Sequence, residues 1–130
     1  MKSTMRIKLK EKDIDYDKYI GTSRIIEVFD DIAQELLIRN KSHRGVLKEY
    51  EELEFIKPLV YGDYLDVIGQ IIAFNETTLK IKFEVLKVLD GEHEKYLLKP
   101  ELLCKAIGVF EVFLKWILLI RWFLFKRIKI

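Results

Sequence analysis

The segment from Ser23 to Arg39 does most to limit what this chain can fold into. Ile25, Ile26, Val28, Phe29, Ile32, Ala33, Leu36 and Leu37 recur at spacings of three and four, the period of one helical face. Arg24, Glu27, Asp31, Gln34 and Glu35 fall on the opposite face. The apolar stripe is wide for the helix's length. A helix resting on a surface needs less, so a sheet is expected to clasp this one. Gly21, Thr22 and Ser23 supply turn and N-cap chemistry before it. The polar run from Asn40 to Gly45 ends it.

Most of the remaining chain alternates with the period of a strand. Met5, Ile7 and Leu9 alternate with Arg6 and Lys8, whereas residues 11–22 are polar and irregular. Glu51 to Ile56 reads as a short mixed strand that Pro58 interrupts. Tyr61-Gly62-Asp63-Tyr64 is a turn, after which Leu65, Val67, Gly69, Ile71 and Ala73 share one face of a long strand. Asn75-Glu76 turns the chain again, and Leu79, Ile81, Phe83 and Val85 then oppose Lys80, Lys82 and Glu84. Asp90-Gly91 is a further turn, and Leu102 to Val109 a last apolar strand. The order is strand, long helix, then about four antiparallel strands. That is an α+β plan with one helix on one sheet face, expected as a single domain over residues 1–112.

Charge separates residues 113–130 from this body. They carry five basic residues and no acid, and thirteen of the eighteen are apolar. The first 112 residues hold 18 basic and 21 acidic side chains, a net of −3. There the two signs are interleaved, which argues against a nucleic-acid footprint. A spanning helix needs about 20 apolar residues, and Lys115 and Arg121 break the run. Three readings of the tail stay open: a membrane-surface segment, an oligomer interface, or an out-of-frame ending. Cys104 is the sole cysteine, so no internal disulfide can form. The basic start, Met1 to Lys8, lacks the apolar run of a secretion signal. Both features suit the cytoplasm. A chain this short gains core by forming a symmetric oligomer, so a homodimer or larger homo-oligomer is expected.

Three features together resemble the hot-dog family of acyl-CoA enzymes. A long apolar helix follows the first strand and carries Asp31-Ile32-Ala33 in mid-course. Phe55-Ile56-Lys57-Pro58-Leu59-Val60-Tyr61-Gly62-Asp63-Tyr64-Leu65 looks like that family's strand, proline, Gly-Asp turn and next strand. Two long alternating strands follow directly. Within the family, the chain is most similar to the β-aminoacyl-CoA ammonia lyases, whose 3-aminobutyryl-CoA members serve lysine fermentation. The segments from Ser23 to Arg39, from Gly45 to Phe55 and from Cys104 to Gly108 carry that likeness. Where those relatives have a glycine-rich stretch before the helix, this chain has the bulkier Tyr16 to Gly21.

The resemblance implies one long helix wrapped by an antiparallel sheet of about five strands. It implies a short 3-aminoacyl-CoA as substrate, with ammonia eliminated reversibly to give an enoyl-CoA and no cofactor beyond the substrate's own CoA. Such chemistry needs a base for the α-proton and donors for the enolate oxygen. By its match to the family's Asp-Ile-Ala pattern, Asp31 is the expected base. Glu27 and Glu35 stand one turn to either side of it. Neighbouring carboxylates repel, which suits an acid–base pair near neutral pH. The helix start, Gly21, Thr22, Ser23 and Arg24, offers unpaired N–H groups to the oxyanion. Thr77 and Thr78 end a hairpin that in this family approaches the CoA chain. Arg39, Lys80, Lys82 and Lys87 are further candidates for its phosphates.

Plainer alternatives accompany each residue. A helix face bearing Arg24, Glu27, Asp31 and Glu35 is ordinarily solvated, and outward lysines on strands are common. His43 and His93 sit in polar turns and read as surface residues. With the lone Cys104 they make no metal set. Cys104 lies in an apolar strand, which favours packing over reactivity. Alternative functions are an acyl-CoA thioesterase, in which the same carboxylate activates water, and a non-catalytic acyl-CoA binding module.

Overall fold

The computed structural model describes residues 1–112. The three readings of residues 113–130, as a membrane-surface segment, an oligomer interface or an out-of-frame ending, therefore lie outside the described residues. The elements in chain order are β1 (Lys2–Lys8), a 3-10 turn (Glu11–Asp13), β2 (Ile14–Tyr16), β3 (Tyr19–Ile20), α1 (Ser23–Lys41), β4 (Gly45–Phe55), β5 (Tyr64–Phe74), β6 (Thr78–Asp90) and β7 (Lys95–Val112). Five strands form one antiparallel sheet in the order β1-β5-β6-β7-β4. The expected helix-in-sheet plan is the one observed.

The apolar stripe of α1 makes the core. Ile25, Val28, Phe29, Ile32, Ala33, Leu36 and Leu37 are all fully buried against the sheet. From β6, Leu79, Ile81, Phe83 and Val85 answer them on the inner face, also with no exposed surface. Phe29 stacks on Phe83 with centroids 4.4 Å apart, and Phe83 meets Phe110 edge-on at 6.3 Å. Burying each such side chain stabilises the fold by about 1.5–3 kcal/mol. Gly69 lets the helix sit close on β5, since a Cβ there would stand 2.5 Å from Ile32 Cγ2.

Several elements depart from the sequence reading. β4 begins at Gly45 rather than Glu51 and is an edge strand, exposed along much of its length. Register shifts between Leu47 and Glu49 and between Tyr50 and Glu52 break its alternation. β7 starts at Lys95, before Pro100: its ladder with β6 pairs Lys87 with Glu101 and then Leu89 with Tyr96, leaving residues 97–100 without a partner opposite Val88. A proline is tolerated at such an irregularity, where no ladder bond is needed from its nitrogen. The irregular stretch before the helix forms the small β2–β3 hairpin, turned at Asp17 with φ 54°. Thr22 occupies the N-cap position with helical backbone angles, and its side chain makes no capping bond. The turn before β5 is fixed by Asp63, almost fully buried. One of its oxygens accepts the Gly91 N–H at 3.0 Å, and the other faces Lys87 Nζ at 3.2 Å.

Candidate active-site crevice

The outer side of α1 and the middle of β4 enclose a crevice of about 520 Å³. Ile26, Glu27, Asp30 and Asp31 line it from the helix, and Leu47 and Tyr50 from the strand. Residues 26 and 30, and 27 and 31, are i,i+4 neighbours, so the four form two adjacent ridges. Gln34 sets the strand beside them. Its Oε1 accepts the Gly45 N–H at 3.1 Å and its Nε2 donates to the Gly45 carbonyl at 2.8 Å. The same Nε2 reaches Asp30 Oδ1 at 3.3 Å. A side-chain amide thereby ties the start of β4 to the helix face that carries the acids.

Three carboxylates share this crevice, and one has a cation beside it. Arg24 Nη1 lies 3.5 Å from Glu27 and its Nε lies 3.9 Å from Asp13. Tyr50 is half-buried, and its phenol is pushed up to about 12, first by burial and then by the charge of Asp30. It stays protonated at neutral pH.

Asp31 and Glu27 are thus brought together, and Glu35 is not. Its carboxylate accepts the Ser3 hydroxyl of β1 and lies 3.5 Å from Arg39 Nη1. The reason is helical geometry. Each step of four residues advances about 40° beyond a full turn, so Glu35 has rotated away from β4 toward β1. Asp30 and Tyr50 were missed from sequence. Asp30 could be found once it is known that β4 flanks the ridge containing Ile26. Tyr50 needed the true start of β4.

The helix start stands apart from Asp31. Thr22 lines a separate, smaller crevice of about 300 Å³ with Ile20 and the run from Phe55 to Leu59. Among the described residues, the Thr22 and Ser23 N–H groups have no backbone partner, while Arg24, Ile25 and Ile26 donate to Gly21 or Thr22 carbonyls. Ser23 and Asp31 are eight residues apart, about 12 Å along the axis. That exceeds the separation of an α-proton and its carbonyl oxygen by a wide margin. Thr77 and Thr78 line neither crevice. Their N–H groups bond Asn75 Oδ1, in a hairpin that also receives Lys41 from the helix's last turn. One chain therefore presents the base candidate, the helix start and the hairpin at three separate places.

Of the basic candidates, Arg39 pairs with Glu35, Lys80 with Glu51 at 2.9 Å, and Lys87 with buried Asp63. His93 is exposed and meets Asp90 Oδ2 at 2.9 Å, holding that carboxyl below its usual range. Cys104 is buried in the core, and desolvation followed by the charge of Glu54 pushes its thiol up to about 12.

No family model matches the chain. The beta-alanyl-CoA:ammonia lyase from Clostridium propionicum superposes with a TM-score of 0.80 at 21% identity, over 86% of this chain and 85% of that one. A hexameric thioesterase from Yersinia pestis superposes with a TM-score of 0.72 at 16% identity, over 84% of each chain. These likenesses show the hot-dog fold. The 3-aminobutyryl-CoA ammonia lyase of Acetoanaerobium sticklandii is 33% identical over 115 residues, 83% of this chain and 91% of that protein. At that identity and coverage, the chain belongs to the 3-aminobutyryl-CoA ammonia lyase family.

Proposed function

We propose that this chain is an ammonia lyase acting on a short 3-aminoacyl-CoA such as 3-aminobutyryl-CoA, with Asp31 as the base. The observation that carries this reading is the crevice in which Asp31 stands with Glu27 and Asp30, in a chain of this family. In the elimination, the Asp31 carboxylate takes the α-proton. The C–H electron pair becomes the Cα=Cβ bond, and the C–N pair leaves on nitrogen as ammonia. The Asp31 carboxyl then returns its proton to ammonia, giving ammonium and restoring the carboxylate. A positioned base contributes about 10²–10⁴-fold to such a step. A place in lysine fermentation goes with that substrate. The buried free thiol of Cys104 suits a cytoplasmic protein.

The separation of about 12 Å along α1 supports a thioester shared between two copies. Asp31 comes from one copy, and the Thr22 and Ser23 N–H groups that stabilise the enolate oxygen come from the other. A homo-oligomer of two or more chains follows. Among the described residues, no helix is long and apolar enough to cross a membrane.

Crotonyl-CoA incubated with ammonium tests the activity. Loss of enoyl absorbance that requires ammonium supports the lyase. Free thiol released without ammonium points to the thioesterase, and saturable binding without turnover to the binding module. Mixing tests the sharing. Thr22→Pro removes one N–H at a position whose φ of −65° is already that of proline and which follows a glycine. Co-assembled Asp31→Asn and Thr22→Pro chains should recover up to about a quarter of wild-type turnover if paired sites draw on both copies. No recovery would place both groups on one chain.

A further inference from the structure

Tyr50 has no place in the chemistry above, yet it faces the same crevice. Its ring is fixed from two sides. Phe29 lies at 6.4 Å between centroids, tilted 54°. Gly108 is its partner across the β4–β7 ladder, and a Cβ there would stand 3.2 Å from Tyr50 Cε1. The absence of a side chain at Gly108 gives the ring its berth. The hydroxyl has no hydrogen-bond partner among the described residues, although the ring beneath it is half-buried. A held phenol with a free hydroxyl, at the edge of a cavity, is arranged to meet something that enters.

The charge of the crevice says what enters. Glu27, Asp30 and Asp31 bring three negative charges, and Arg24 offsets one of them. Among the described residues, Asp30 pairs with no cation, and its Oδ1 accepts from the neutral Gln34 amide. A crevice left net negative repels the phosphates of CoA and attracts a cation. Ile26 and Leu47 supply apolar shoulders for the carbons next to that cation. A plain acyl thioester has no group to match this combination, whereas a β-ammonium group does.

Resting on the ammonia-lyase reading, we propose that Tyr50 is the specificity residue for the nitrogen end of the substrate. Its hydroxyl oxygen accepts an N–H of the ammonium group, and Asp30 balances that group's charge. Tyr50 thereby distinguishes aminoacyl from simple acyl thioesters. It also positions ammonium for attack on the enoyl-CoA in the reverse direction.

The test is steady-state addition of ammonium chloride to crotonyl-CoA, with each KM measured separately. Tyr50→Phe keeps the ring and removes the hydroxyl. It should raise the KM for ammonium about tenfold, the worth of a hydrogen bond to a charged group, while the KM for crotonyl-CoA stays within about twofold. Asp30→Asn, at an exposed position, should move the same constant in the same direction. An unchanged ammonium KM in both variants, or an equal rise in both constants, overturns the assignment and leaves the lyase intact. Wild-type protein with no ammonium-dependent turnover overturns the lyase reading and this assignment with it.

Discussion

Along α1, the inward residues Ile25, Phe29, Ile32 and Leu36 have no exposed surface, while Asp30 and Asp31 stand exposed beside an open crevice. The two sets are interleaved in sequence and differ only by rotation about the helix axis. The inner set is constrained by volume, because every neighbour is already packed. The outer set is constrained by position relative to β4, which Gln34 fixes through Gly45. Changes to the first should therefore be read in stability, and changes to the second in turnover.

Phe29→Ala should show the largest effect, removing a ring stacked on Phe83 at a cost of about 3–5 kcal/mol in urea unfolding. A loss below about 1 kcal/mol would mean that the inner face is not the core. Asp31→Asn should lower turnover about 100-fold or more while moving unfolding free energy by no more than about 0.5 kcal/mol. Full activity in that variant removes Asp31 from the mechanism. Glu35→Gln sharpens the contrast from the acidic side. It lies one turn beyond Asp31 but is engaged with Ser3 and Arg39, so turnover should be unchanged and stability should fall by under about 1 kcal/mol. A turnover loss matching that of Asp31→Asn would return Glu35 to the site.

The smallest effect is in pH. The Cys104 thiol is raised in the fold from 9.0 to about 12, and the Tyr50 phenol from 10.0 to about 12. Both folded values exceed the unfolded ones. Their contribution is complete below the unfolded values and is lost as pH rises through the folded ones. Melting temperature should thus decline progressively above about pH 9, and Cys104→Ala should flatten the first part of that decline. A profile level to pH 11 in wild-type protein would contradict the burial of both groups.

The helix stripe and β6 were legible because each keeps one period throughout, 3.6 residues or two, and each packs along its whole length. β4 was not. As an edge strand with two register shifts, it buries too little, and too irregularly, to print an alternation. From sequence β7 looks shorter than it is, because Pro100 and the polar residues before Leu102 resemble a loop, and the slip in the ladder that admits them is a property of the pair of strands. The site was half legible for the same reason. Asp31 and Glu27 came from the family pattern and helical spacing. Asp30 and Tyr50 depend on where β4 lies, and Glu35 on where β1 lies. Those are facts of three-dimensional packing that no single segment carries.

The bond pair from Gln34 to Gly45 has one more consequence. A residue held at both its N–H and its C=O cannot slide along the helix without losing both bonds at once. The spacing of helix and strand is therefore fixed beside the crevice, which Ile26 and Leu47 line from its two walls. Tolerance of bulkier acyl groups should accordingly evolve by trimming those two residues, with the backbone between helix and strand left where it is.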